Sequence, residues 1–357
     1  MREMLEYQAD RIEAVLAQHR VPARVTGGRV TPRWIRFQVM PAIGARISRI
    51  KSLAEELAAA LDAPTCRVAR QGAAVMVEIP RDDPKPVRLL PLLRTVTDVP
   101  PMTAILGMDE DGVPLLIRLP SPDVAHILVA GTTGSGKTAL LRTMIISLAL
   151  RHPRRGHLAL VLIDPKGGRA FGCFQGLPQL VRPVVRSAEE AVGVLEDLVR
   201  LMERRDRLGE NRPAVAAFID ELADLMMVGG RAAEHHLTRL VQRGREAGIH
   251  IVAATQKPTS AVLGSLVTAN FPVRLVGKVA SAQDARIASG WSGTGAERLQ
   301  GRGDFIAVAE GRLFRFQAAY VSLEEIGELV DGLRRQALPA SAPARYLLPR
   351  VEEPLPA

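Results

Sequence analysis

Eight consecutive residues, Gly131-Thr132-Thr133-Gly134-Ser135-Gly136-Lys137-Thr138, satisfy the pattern G-x-x-x-x-G-K-[ST] at every fixed position. Each residue type has a chemical reason. Glycines let the chain turn tightly, so that successive backbone N–H groups converge on phosphate oxygens. The Lys137 ammonium reaches the β- and γ-phosphates, and the Thr138 hydroxyl is a ligand for Mg²⁺. The pattern points to a nucleoside triphosphate and its magnesium ion.

A second constellation closes an apolar run, Ala216-Ala217-Phe218-Ile219, with the adjacent carboxylates Asp220 and Glu221. Paired with an upstream phosphate loop, Asp220 is expected to hold Mg²⁺, directly or through water. Glu221 is expected to orient and polarise the attacking water. Gln256 ends the next apolar run and offers an amide that could sense the γ-phosphate. Asp164-Pro165-Lys166 ends another, and two readings stand: a third contribution to the site, or a local Asp-Pro turn.

These groups can cooperate only if the fold gathers them. Apolar runs at 126–130, 158–163, 215–219, 249–254 and 273–276 read as buried strands, and 138–150, 187–207 and 235–247 read as helices between them. The alternation predicts an α/β domain with a parallel sheet flanked by helices and right-handed crossovers. Ligands of such sheets lie at the carboxyl ends of the strands, where these polar residues stand. A hairpin over 304–308 and 313–319, turning at Glu310-Gly311, and a helix over 322–335 are expected to close the domain. The N-terminal part reads differently. A helix over 3–19 is stopped by Pro22 and Gly27-Gly28, and strand-like alternation follows within 30–40. Leu53, Leu57 and Leu61 share one face of a helix over 50–61, and two short strands flank Gln71-Gly72 within 65–79. Prolines at 80, 84, 86, 91 and 100 predict an extended connector. The expected organisation is a small α+β domain over 1–100, the α/β domain over 101–336, and a Pro-rich disordered tail over 337–357.

Bulk properties narrow the setting. The 357 residues are 47% apolar and 24% charged, ordinary for globular domains. No apolar run is long enough to cross a bilayer, and Met1-Arg2-Glu3-Met4 lacks the apolar centre of a signal peptide. Cys66 and Cys173 have no metal or redox spacing. A cytoplasmic location is the expectation. The net charge of +9 fits an anionic partner. Residues 14–54 hold eight basic groups (Arg20, Arg24, Arg29, Arg33, Arg36, Arg46, Arg49, Lys51) and no acidic one; a solvated face and a phosphate-facing surface are both open. His235-His236 have no partners at zinc-ligand spacing and read as helix surface. Trp34 and Trp291 read as packing residues rather than base-stacking platforms.

Taken together, the motifs resemble the FtsK/SpoIIIE family of DNA translocases. The phosphate loop 129–138, the run 219–226 starting Ile219-Asp220-Glu221-Leu222, and 247–258 ending Ala254-Thr255-Gln256-Lys257-Pro258 each match a family block. Ser281-Ala282-Gln283-Asp284-Ala285-Arg286, and 299–305 with Gly301-Arg302-Gly303-Asp304, resemble later blocks. Residues 50–58 and 77–80 are similar to the small domain that precedes the family's motor. The resemblance covers about residues 1–335. It implies a RecA-like P-loop motor that binds ATP and Mg²⁺, assembles as a homo-hexameric ring, and pumps double-stranded DNA through the pore. Within it Lys137, Thr138, Asp220, Glu221 and Gln256 keep the roles given above. Arg286 becomes the candidate finger reaching a neighbour's γ-phosphate. Loops near 257–270 and 289–303 become the candidate pore lining, with Lys257, Arg298 and Arg302 as DNA contacts.

Departures from the family pattern shape the rest. The usual membrane-spanning region and the winged-helix domain have no counterpart in this sequence, so a separate membrane anchor or loader protein is expected. Gln71-Gly72-Ala73-Ala74 replaces a Pro-Gly-Lys loop, and Gly167-Gly168 stand where a bulkier apolar residue is usual. The competing expectation is a secretion or conjugation motor of the same superfamily, moving protein or a nucleoprotein.

Overall fold

The computed structural model describes residues 2–153, 156–258 and 269–337. The chain divides into two compact units, one ending at Pro86 and the other starting at Val87.

The first unit is a four-stranded antiparallel sheet carrying helices. Its elements are α1 (Arg2–Gln18), β1 (Ala23–Val30), β2 (Trp34–Pro41), α2 (Ile47–Ser52), α3 (Ala54–Ala60), β3 (Arg67–Gln71) and β4 (Ala74–Pro80), with strand order β1-β2-β4-β3. Alternate residues Ile35, Phe37 and Val39 of β2 and Val75, Val77 and Ile79 of β4 form one core with Ile12, Leu16, Ile50 and Leu57 of the helices. Across the sheet, Arg36 and Arg67 are both in register with Glu78. Arg36 Nε lies 2.8 Å from Glu78 Oε1, and Arg67 Nη1 lies 3.2 Å from Oε2.

Three expectations for residues 1–100 need correction. Gly27-Gly28 do not end a helix; they lie inside β1, where the register slips between Val25 and Gly27, and glycine accommodates such a bulge. The helix expected over 50–61 is two helices, broken at Leu53. The 80–100 connector contains a helix, α4 (Leu89–Thr95). Pro91 is its third residue, in the first turn, where a missing N–H costs no helical hydrogen bond. Residues 87–95 are bound into the second unit: Tyr320 N donates to Val87 O at 2.7 Å and Leu89 N to Tyr320 O at 2.9 Å.

The second unit is built on one nine-stranded sheet. Its strands are β5 (Thr103–Asp109), β6 (Pro114–Arg118), β7 (Ile127–Ala130), β8 (Leu158–Ile163), β9 (Ala214–Ile219), β10 (Ile249–Thr255), β11 (Val273–Val276), β12 (Asp304–Ala309) and β13 (Arg312–Ala318). They lie in the order β6-β5-β13-β12-β11-β7-β10-β9-β8. The expected parallel sheet is present over β8-β9-β10-β7-β11. The other four strands extend it antiparallel, so the sheet is mixed. The β5–β6 hairpin carries no helix-crossover signature, and its partner β13 is distant in sequence.

Strand alternation divides the interior in two. Ile127, Val129, Leu158, Leu160 and Leu162 face a core shared with α4, α5 (Lys137–Arg151) and α9 (Leu323–Gln336). Leu128, Ala159, Val161 and Ile163 face a core shared with α6 (Ala188–Leu208) and α7 (Leu222–Arg243). A strand buried on both faces needs an unbroken apolar run, which is why these strands were readable. Helix α7 starts well before the expected 235–247 segment; Gly229-Gly230 interrupt its pattern, and the backbone kinks at Gly230. The short helix α8 (Ala282–Ser289) is capped by Ser281 and closed by Gly290. Among the described residues no helix is long and apolar enough to cross a membrane. The tail over 338–357 lies outside the described residues, as does 259–268 of the expected pore lining.

Candidate nucleotide site

Parallel pairing brings the chemistry together. Thr255 is in register with Ala130, and Ile219 with both Ala253 and Ile163. The residues that follow β7, β8, β9 and β10 therefore emerge at one edge of the sheet. They are the phosphate loop, the Asp164 loop, Asp220-Glu221 and Gln256.

The phosphate loop is held from three directions. Gly131 N donates to Thr255 O at 3.2 Å and Thr132 N to Lys278 O at 2.7 Å. Behind the loop, Arg302 N donates to Gly134 O at 2.9 Å and Gly303 N to Ser135 O at 2.8 Å. Gly136 is obligatory: its φ is +105°, and a Cβ there would stand 2.6 Å from Gly303 N. Helix α5 begins at Lys137 with no side-chain cap, so its first-turn N–H groups and dipole face outward, as anion sites require. Lys137 is buried, and its Nζ donates to Gly131 O at 2.7 Å and Thr132 O at 3.0 Å. Burial pushes its pKa down to about 8; the carboxylates of Glu221 and Asp220 pull the other way, and Lys166 adds to the fall.

Thr138 and Asp220 meet directly, Oγ1 donating to Oδ1 at 2.9 Å. Burial raises the Asp220 carboxyl above the usual range; the Thr138 hydrogen bond opposes this, while Asp164 and Glu221 raise it further. A hydroxyl and a half-buried carboxylate crowded by other acids form a hard oxygen set of the kind Mg²⁺ takes. The donor set fits that ion. Glu221 is buried at the N-cap of α7. Its Oε1 accepts from Gln256 N at 3.1 Å and Ala223 N at 3.4 Å, and its Oε2 accepts from Lys166 Nζ at 3.3 Å. The Gln256 side chain turns to the phosphate loop, its Oε1 accepting from Thr133 Oγ1 at 2.8 Å.

Both readings of Asp164-Pro165-Lys166 contain part of the answer. Asp164 is fully buried and organises its own loop, Oδ1 accepting from Lys166 N at 3.3 Å and Oδ2 from Ala170 N at 2.6 Å. Lys166 enters the site through Glu221 and through Asp224 Oδ2 at 3.3 Å.

The remaining candidates lie apart from this cluster. Arg286 is exposed on α8, and its guanidinium makes no ion pair among the described residues. Lys257 is exposed beyond β10, with its N donating to Thr255 Oγ1 at 3.2 Å. Arg298 is exposed on a 3₁₀ turn, 3.4 Å from Glu297. Arg302 is exposed, but its backbone backs the phosphate loop as described. That backing loop was missed as part of the site. Asp304 anchors it, accepting from Gln300 N at 3.0 Å and pairing with Arg315 Nε and Nη2 at 3.0 and 2.9 Å. The glycines flanking Arg302 were the available signal. His235 and His236 meet edge to face on α7 at 5.5 Å.

A family model described as FtsK/SpoIIIE family matches residues 92–210 and 206–260, and one described as FtsK alpha domain matches 1–81. The chain is 33% identical to the DNA translocase FtsK of Sporosarcina ureae over 92% of its own length and 46% of the relative's. It is 33% identical to the DNA translocase SftA of Bacillus subtilis (strain 168), over 94% of its own length and 38% of the relative's. The chain thus spans about half or less of these curated relatives. Among solved structures, the pCW3 conjugation coupling protein TcpA with ATPγS matches at a TM-score of 0.64 and 19% identity, covering 92% of this chain and 99% of that one. The cytoplasmic domain of the Thermomonospora curvata type VII secretion ATPase EccC matches at 0.62 and 24% identity, covering 75% and 36%. At these identities the structures speak to the fold, which is that of P-loop ATPases.

Proposed function

Because the chain belongs to the FtsK/SpoIIIE family, we propose that it is an ATP-driven motor that moves along double-stranded DNA as a homo-hexameric ring. The supporting observation is the convergence of four strand ends on one phosphate loop, with Thr138 and Asp220 in contact and Glu221 fixed beside them. Residues 131–138 cradle the triphosphate, and Lys137 exchanges its two loop carbonyls for phosphate oxygens. Thr138 and Asp220 hold Mg²⁺. Held there, Mg²⁺ would supply positive charge against the negative charge that develops in phosphoryl transfer. Glu221 orients the water, and Gln256, linked to Thr133, reports on the γ-phosphate. Arg286 reaches the site of a neighbouring protomer, and Lys257, Arg298 and Arg302 contact DNA phosphates. A cytoplasmic setting fits the two free thiols, Cys66 and Cys173.

The relatives at 33% identity are named DNA translocases, which favours DNA over protein cargo. Displacement of a triplex-forming strand from duplex DNA tests the reading. The chain with ATP is expected to displace it, Lys137→Ala is not, and Glu221→Gln is expected to bind ATP without steady-state turnover. No displacement, together with ATPase activity indifferent to duplex at low salt, would overturn the DNA reading.

A further inference from the structure

Glu221 has few free acceptor positions. An ionised carboxylate offers about four lone-pair sites. Two on Oε1 are taken by the N–H groups of Gln256 and Ala223, at 3.1 and 3.4 Å. One on Oε2 is taken by Lys166 Nζ at 3.3 Å. One direction on Oε2 remains. The backbone donors are fixed by β10 and α7, so among the described residues Lys166 is the single side chain that decides which direction that is.

The loop carrying Lys166 is built to hold it there. Its own N–H is received by fully buried Asp164, whose other oxygen takes Ala170 N at 2.6 Å and Phe171 N at 3.4 Å. Gly167 and Gly168 follow at φ of +80° and +82°, a left-handed pair that turns the chain back at once. A Cβ at Gly168 would lie 3.1 Å from Arg186 Nε. The ammonium is further steadied by Asp224 Oδ2 at 3.3 Å, so it does not depend on Glu221 alone. Burial weakens the charge on Lys166, but the two carboxylates outweigh it and keep the group protonated.

We propose that Lys166 is a positioning residue for Glu221, occupying one lone pair of Oε2 so that the remaining one alone receives and aims the attacking water. The proposal rests on the ATPase reading given above. It predicts a defect in turnover without a defect in binding.

The test is steady-state ATPase kinetics of the full chain with duplex DNA, alongside equilibrium binding of a fluorescent ATP analogue and thermal melting. Lys166→Met keeps the stem and removes the donor. Its kcat is expected to fall about 10- to 100-fold, the scale of a misplacement of ~1 Å. Analogue affinity and melting temperature are expected to stay at the wild-type values. Lys166→Arg is expected to restore part of the rate. In single-turnover measurements, Lys166→Met is expected to add no further loss to Glu221→Gln, because both act on the same water. An unchanged kcat, a loss of affinity parallel to kcat, or a full multiplicative loss in the double variant would each overturn the proposal. A wild-type chain without turnover would sink the ATPase reading and this proposal with it, a result distinct from active wild type with indifferent Lys166→Met.

Discussion

Lys137 and Gly136 show how little freedom the cradle leaves its residues. The Lys137 ammonium rests on the carbonyls of Gly131 and Thr132, and its pKa of about 8 records how poorly neutral carbonyls replace water. Anionic phosphate oxygens offer charge-assisted bonds, roughly twice as strong as neutral ones, so exchange is favourable. Arg286 is the opposite case, an exposed cation with no ion pair among the described residues. Its residue type and neighbours were legible; its reach into another protomer is not a property of one chain. If Arg286 acts in trans, Arg286→Ala will lower ATP turnover by about 10³-fold or more while analogue affinity stays within a few-fold. Lost affinity with normal residual turnover would count against that role. Phosphate-loop residues were readable because a contiguous motif fixes its own geometry. The backing role of Gly301-Arg302-Gly303 was not, and Asp164-Pro165-Lys166 stood open between two readings, because the deciding contacts span 55 residues for Lys166–Glu221 and more than 160 for Arg302–Gly134.

At the scale of elements, β7 and β10 are joined at both ends. Their carboxyl ends carry the site; their amino ends carry His126 and His250. Ile251 N donates to His126 Nδ1 at 3.1 Å, so that nitrogen bears no proton, whereas His250 Nδ1 faces Ala125 O at 3.1 Å and does bear one. Burial lowers the pKa of His126 to about 3, with His250 and Arg245 adding to it. Burial lowers that of His250 to about 4; the Ala125 carbonyl opposes this and Arg245 reinforces it. The unfolded chain binds these protons near pH 6.5, so between that pH and the folded values it holds more protons than the native state. Stability is then fully present above about pH 6.5 and falls as pH drops toward 4 and 3. Each histidine contributes a slope approaching about 1.4 kcal/mol per pH unit. Chemical denaturation from pH 7 to 4.5 is expected to show this loss, and His126→Gln to flatten it. An unaltered slope in that variant would assign the acid sensitivity elsewhere. Three of the elements misjudged from sequence share one cause. A proline in α4 and glycine pairs in β1 and α7 are breakers by intrinsic preference, yet each occupies a position where tertiary context tolerates it.

The whole molecule carries a net charge of +9, and the proposed cargo is a polyanion. Lys257, Arg298 and Arg302 together would release about three counterions per protomer. The apparent affinity for duplex should then fall with a log–log salt slope near −2.7, about 40-fold between 50 and 200 mM salt. Arg298→Ala is expected to reduce the slope by about one. Duplex-stimulated ATPase measured across that range checks both, and a salt-independent half-saturation would remove these residues from the DNA path.

Local sequence determined the phosphate loop, the acidic pair after an apolar strand, the five buried parallel strands and most of the helices between them. A contiguous motif and a periodic apolar run need no distant partner to be specified. Tertiary structure alone decided the rest. The antiparallel extension through β5, β6 and β13 depends on pairings remote along the chain. So do the backing of the phosphate loop by Gly303 and the grip of Lys166 on Glu221, since each is a contact between residues whose local context says nothing about the other.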